Sequence, residues 1–134
     1  MSHSPRQLEF FVDRSLGRHR VAQILRAAGW KLRTHHEVYG DRDQDVPDVE
    51  WLEFCGREGL PVLTRDRRLR HRPAEIAAIR RFGVRAFVVT GGSLRADEQA
   101  GRFDRSRQRI EEACSASGPF VYSVQVGRIV RIFP

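Results

Sequence analysis

Two short apolar runs end in aspartate, Phe11-Val12-Asp13 and Leu63-Thr64-Arg65-Asp66. A third aspartate, Asp48, shares the i, i+3, i+4, i+7 spacing of one helix face with Trp51, Leu52 and Cys55. Taken singly, each carboxylate has a structural role open to it, because Asp48 can complement a helix macrodipole and an aspartate at a strand end can make a turn. Taken together, they sit at three element ends that one sheet edge could gather. Three carboxylates within a few ångströms repel, and one of them must keep its proton unless a cation lies among them. Oxygen-only ligands suit Mg²⁺ or Mn²⁺, with coordination positions left for water and a substrate phosphate.

The residues around Asp66 carry the opposite charge. Arg65, Arg67, Arg68, Arg70 and Arg72 surround it in Thr64-Arg65-Asp66-Arg67-Arg68-Leu69-Arg70-His71-Arg72, and Arg14 and Arg18 follow Asp13. An isolated charge run is a solvated loop, but guanidinium groups beside a metal centre match phosphate bidentately and stack on bases. The pair His35-His36 makes a poor metal site, since adjacent strand residues point to opposite faces. Ser93, after Gly91-Gly92, fits no nucleophile or phosphate-loop pattern and reads as a helix cap.

The elements that must position these residues alternate. Phe10–Val12 reads as a strand, followed by a helix with Val21, Ile24, Leu25 and Ala28 on one stripe and Gly29 as its stop. Trp30–Thr34 is a second strand, and residues 35–47, rich in Gly and Asp, read as a long loop. A helix from Pro47 to Glu58, a strand over Pro61–Thr64, a helix over Pro73–Phe82 and a continuously apolar strand over Arg85–Thr90 follow. One long polar helix is expected over Arg95–Ala116, then two strands, Phe120–Val126 and Ile129–Phe133, as a terminal hairpin. This order predicts a single α/β domain over residues 1–134, with three layers and a mostly parallel sheet. If the first, third and fourth strands lie together, Asp13, Asp48 and Asp66 converge outside their carboxyl ends.

Composition agrees with one soluble globular unit. The chain has 134 residues, 40% hydrophobic, enough for a core without disulfide or zinc staples. Cys55 and Cys114 lack any paired metal spacing and read as small buried hydrophobes in a reducing compartment. No apolar run approaches a membrane span, and Met1–Gln7 shows no apolar targeting core, so a cytoplasmic location is expected. The net charge is +7, and because Lys31 is the only lysine, 23 of the 24 basic residues are arginine. Such a balance points to a polyanionic partner.

At this stage the chain resembles the PIN-like ribonucleases, and within them the small toxins of bacterial toxin-antitoxin pairs. The resemblance runs through Phe10-Phe11-Val12-Asp13-Arg14-Ser15-Leu16-Gly17, Arg26-Ala27-Ala28-Gly29-Trp30 and Asp48-Val49-Glu50-Trp51. It continues in Val62-Leu63-Thr64-Arg65-Asp66, Arg72-Pro73-Ala74-Glu75 and Gly118-Pro119-Phe120-Val121-Tyr122-Ser123-Val124. It implies a Mg²⁺- or Mn²⁺-dependent endoribonuclease with Asp13 and Asp66 as the best-matched ligands and Asp48 next, a cognate antitoxin, and homodimerisation through an apolar helix face. The sequence departs from the family pattern where a further acidic residue often follows Asp66 and this chain has Arg67 and Arg68. A fourth carboxylate must then come from elsewhere: Glu37 first, then Glu75 or Asp45.

Two other classes compete. A receiver-like phosphoacceptor domain could use Asp13, Asp66 and Thr90, but it needs an amine near the acceptor, and Lys31 opens a strand instead of ending one. A non-catalytic, arginine-rich RNA-binding module would need an exposed aromatic face, whereas the aromatics here follow core periodicities.

Overall fold

A computed structural model describes residues 8–134, so Met1–Gln7 and the expectation placed on them lie outside the described residues. Six strands form one sheet: β1 (Glu9–Val12), β2 (Lys31–Thr34), β3 (Val62–Thr64), β4 (Arg85–Val89), β5 (Phe120–Gln125) and β6 (Arg128–Phe133), in the order β2-β1-β3-β4-β5-β6. All neighbours are parallel except β5 and β6, which form the expected antiparallel hairpin. The first, third and fourth strands are therefore adjacent, as the convergence of the aspartates requires.

Alternation along the central strands divides the core between two faces. Phe10, Val12, Leu63, Phe87 and Val89 point to the side covered by α1 (Arg20–Ala27), α5 (Ala96–Arg105) and α6 (Arg107–Ala113). Phe11, Val62, Ala86 and Val88 point to the side covered by α3 (Asp48–Glu58) and α4 (Pro73–Phe82). Both faces of these strands are apolar because both are covered, which is why they read as continuous hydrophobic runs. On the second face α3 and α4 approach closely at Gly56, where a Cβ would fall on the backbone carbonyl of Phe82. Cys55 and Cys114 are free thiols inside this packing, and burial pushes the Cys114 thiol up to about 11.

Three local expectations are corrected. The segment 35–47 is not all loop, because α2 (His35–Tyr39) begins it. Thr34 Oγ1 accepts from the Glu37 N–H at 3.0 Å while Glu37 Oε1 accepts from the Thr34 N–H at 2.9 Å, a reciprocal cap that starts a helix directly at the strand end. The long polar helix is two helices, broken at buried Ser106, whose ψ of 12° leaves the helical range. Ser93 does not cap α5. It lies in the preceding turn at φ 45°, and the cap position belongs to Arg95, whose N–H donates to Glu98 Oε1 at 3.1 Å.

Candidate active site

The carboxyl ends of β1 and β3 and the start of α3 face one cleft of about 690 Å³. Asp13, Asp48 and Asp66 all line it, together with Arg14, Arg65, Arg67, Arg68 and Arg72, and residues 91–94 contribute to the lining as well. Helix α3 begins where it does because Pro47 supplies an extended residue (ψ 150°) directly before Asp48. Helix α4 begins in the same way, with Arg72 extended and Pro73 in its first turn.

Asp13 follows the last residue of β1 and is buried, 3% exposed. Its backbone N–H extends the sheet to the Leu63 carbonyl at 3.0 Å. Its Oδ2 accepts from Ser15 Oγ at 2.6 Å and from Thr64 Oγ1 at 2.8 Å. With both hydroxyl protons spent on Asp13, the two hydroxyl oxygens act as acceptors for the chain after β3. Ser15 Oγ takes the Arg65 N–H and Thr64 Oγ1 takes the Asp66 N–H. The position of Asp13 and the path leading to Asp66 are thus set by the same two hydroxyls. Among the described residues no arginine, lysine or histidine pairs with Asp13. Burial pushes its carboxyl up, the Asp48 charge adds to this, and the two hydroxyls offset only part.

Asp48 and Asp66 are held differently. Asp48 Oδ1 accepts from Trp51 Nε1 at 2.9 Å and lies 3.5 Å from an Arg14 guanidinium nitrogen. Asp66 Oδ1 accepts from the Arg68 N–H at 3.0 Å. The remaining oxygens share one donor, Arg72 Nη1, at 3.2 Å from Asp48 Oδ2 and 3.0 Å from Asp66 Oδ2. The same nitrogen is 3.6 Å from Glu75 Oε1.

The other candidates separate. Glu37 does not reach the cleft: it caps α2 and pairs with Arg26 at 2.7 Å, because the capping box turns its side chain back on its own helix. Asp45 is exposed in a turn, and neither it nor Glu75 lines the cleft, although Glu75 approaches Asp48 and Asp66 indirectly through their shared partner Arg72. Arg14 lines the cleft but is also a strut, donating to the carbonyls of Asp43 and Val46 at 2.9 Å each. Arg18 turns away from the cleft and grips the Asp43 carboxylate with two nitrogens at 3.0 and 3.1 Å. Arg70 lies in a neighbouring groove of about 430 Å³ with His71, Thr90, Ser123 and Gln125, and Arg67 and Arg68 line both hollows. Sequence reading missed buried Asp43, which no local spacing marks, and the hydroxyls of Ser15 and Thr64, which look like ordinary turn and strand residues until β1 and β3 are paired.

The family described as PIN like domain matches residues 8–91, well over half of the chain and every candidate ligand. The chain belongs to the PIN-like domain family. This PIN-like domain is also 36% identical over 123 residues to "Putative ribonuclease VapC45" of Mycobacterium tuberculosis (strain ATCC 25618 / H37Rv), a match covering 91% of this chain and 89% of the relative. No solved structure matches it.

The donor set of the PIN-like domain suits a hard divalent ion in kind, being carboxylate oxygens from three separate elements around one cleft, with the most buried of them lacking a cationic partner. In geometry the set is not closed around an ion. Among the described residues no three acidic, histidine or cysteine side chains are gathered closely enough to hold an ion as they stand, and Arg72 lies between two of the aspartates.

Proposed function

We propose that this chain is a Mg²⁺- or Mn²⁺-dependent endoribonuclease acting as the toxin of a toxin-antitoxin pair, with Asp13, Asp48 and Asp66 as metal ligands. The observation that carries this reading is the placement of all three aspartates in one cleft that Arg14, Arg65, Arg67, Arg68 and Arg72 also line. Membership of the PIN-like family and the ribonuclease named among its relatives support the reaction class. No helix among the described residues is long and apolar enough to cross a membrane.

The chain's own residues do most of the preparatory work. Arg65, Arg67 and Arg68 are exposed at the mouth of the cleft, where they can draw in and orient an RNA backbone. Ser15 and Thr64 hold Asp13 in one orientation, so its position does not depend on the ligand. A divalent ion bound among the aspartates would supply an activated water and neutralise charge growing on the phosphoryl oxygens. An antitoxin that covers the acidic cleft and its basic rim would block RNA and ion together. The receiver-like alternative finds no support, since Lys31 pairs in register with Glu9 at the far end of β1 from Asp13.

The test is cleavage of RNA by the purified chain with Mg²⁺ or Mn²⁺. Chelation should stop it, and Asp13→Asn or Asp66→Asn should abolish it in folded protein. Full metal-dependent cleavage by both variants sinks the assignment. A wild type that binds RNA but cuts none, with or without metal, favours the non-catalytic binding module, a reading to which the open geometry of the donor set lends some weight. For the toxin role, expression of the wild type alone should slow bacterial growth and Asp13→Asn should relieve it.

A further inference from the structure

We propose that Arg72 is a resident cation of the acidic cleft, standing between Asp48 and Asp66 where a second divalent ion would otherwise sit, so that the centre takes one ion. This rests on the reading of the cleft as a metal centre. A single guanidinium nitrogen of Arg72 reaches three carboxylates from three places in the chain, at 3.0 Å from Asp66, 3.2 Å from Asp48 and 3.6 Å from Glu75. The side chains are about one-third exposed for Arg72 and less for its three partners, so the contact sits inside the cleft instead of on its rim.

The backbone keeps Arg72 there. It is the extended residue (φ −84°, ψ 125°) directly before Pro73, and the proline ring disfavours the helical conformation in the residue before it, so Arg72 stays outside the helix that follows. The carboxylates are fixed on their far sides, Asp48 by Trp51 Nε1 and Asp66 by the Arg68 N–H, which leaves the Oδ2 atoms turned to Arg72. The contacts are longer than metal–oxygen bonds of about 2.1 Å. That agrees with a donor set that stays open around a guanidinium.

Charge points the same way. Three carboxylates, Asp48, Asp66 and Glu75, already face the guanidinium of Arg72, and that of Arg14 stands 3.5 Å from Asp48. A second divalent ion between Asp48 and Asp66 would meet that resident positive charge at once. Arg72 is thus a positioning residue: its one guanidinium nitrogen holds the Oδ2 atoms of Asp48 and Asp66 facing each other across the cleft.

Mn²⁺ titration of the full chain, followed by the electron paramagnetic resonance signal of free Mn²⁺, tests this. The wild type should bind one ion per chain, lost in Asp13→Asn, Arg72→Lys should still bind one, and Arg72→Gln should bind two. In chelator, Arg72→Gln should melt below the wild type and recover on adding Mn²⁺, while Arg72→Lys should not. A wild type that binds two ions overturns the proposal without any variant. So does Arg72→Gln that still binds one ion, whether at unchanged affinity or more tightly, the latter meaning that arginine and metal compete for a single place. Equal Mn²⁺ binding by wild type and Asp13→Asn, or none by either, removes the metal centre itself and this inference with it.

Discussion

Asp13 and Asp43 are buried alike, 3% and 1% exposed, yet their surroundings push them in opposite directions. Asp13 meets two neutral hydroxyls, so burial prevails and its carboxyl is pushed up. At Asp43 burial also pushes up, but the forked guanidinium of Arg18 and the His36 ring, with Nδ1 at 3.1 Å, outweigh it and hold the carboxyl below its ordinary range. One aspartate is left wanting a cation and opens onto the cleft. The other is already supplied and ties the loop before α3 to the turn after β1. The difference teaches that equal burial gives opposite shifts according to whether the protein supplies a counter-charge, and that of the two only Asp13 is left to attract a cation from outside.

The sharpest way to break this comparison is to neutralise each aspartate in turn. Asp13→Asn should lower RNA cleavage by at least about 100-fold, the rate equivalent of about 3 kcal/mol, with no fall in melting temperature because a desolvated charge is removed. Asp43→Asn should lower the melting temperature by leaving Arg18 and His36 short of a partner, and should cost less than about tenfold in cleavage. Kinetics and thermal melts on the same preparations decide it. Equal loss of cleavage in the two variants would erase the distinction between centre and lock.

Acid titration gives a smaller effect with a defined sign. His35 is buried against the rings of Phe11 and Tyr39, and neither of its ring nitrogens has a hydrogen-bond partner. Burial, helped by the Arg14 charge, holds its pKa below 6.5. Above pH 6.5 the ring is neutral in both folded and unfolded chains and contributes nothing to the slope. Below it the unfolded chain takes up the proton first, so stability falls as pH drops toward the folded value. Asp43, also lowered, has the same sign in a more acidic window: its contribution is present above the ordinary carboxylate pKa and is lost as pH falls through its folded value. Urea melts across pH should show His35→Phe flattening the first decline and Asp43→Asn only the second.

The smallest effect separates free arginines from committed ones. Arg67→Ala or Arg68→Ala should each reduce the salt dependence of RNA affinity by about 0.7 log units per log unit of salt, the amount expected for one lost phosphate contact on a single strand. Arg18→Ala should leave that slope unchanged and lower the melting temperature, because its guanidinium is already spent on Asp43. Fluorescence anisotropy at several salt concentrations measures it, and a slope change in Arg18→Ala would return that residue to the RNA surface.

Much of the fold was legible in the chain. Continuous apolar runs marked β3 and β4, glycines at 29, 59 and 83 marked helix ends, and two aspartates at strand ends marked the edge where ligands bind. The α2 cap was legible too, as Thr34 followed three residues later by Glu37, but the Gly and Asp content of residues 35–47 obscured it. The break at Ser106 had no such signal, since the apolar stripe runs on through it from Phe103 to Ile110 and both are buried.

Residue type and spacing alone determined the alternation of elements, the three candidate aspartates and the arginine excess beside them, because periodicity and charge are local properties of a chain. Tertiary structure alone decided which charges cancel. Arg18 and Arg72 both follow an aspartate by five or six residues, yet one is withdrawn to Asp43, 25 positions away, and the other is held between Asp48 and Asp66. Pairings of that kind depend on distances across the folded chain, where a Coulomb interaction changes severalfold with a few ångströms and with burial.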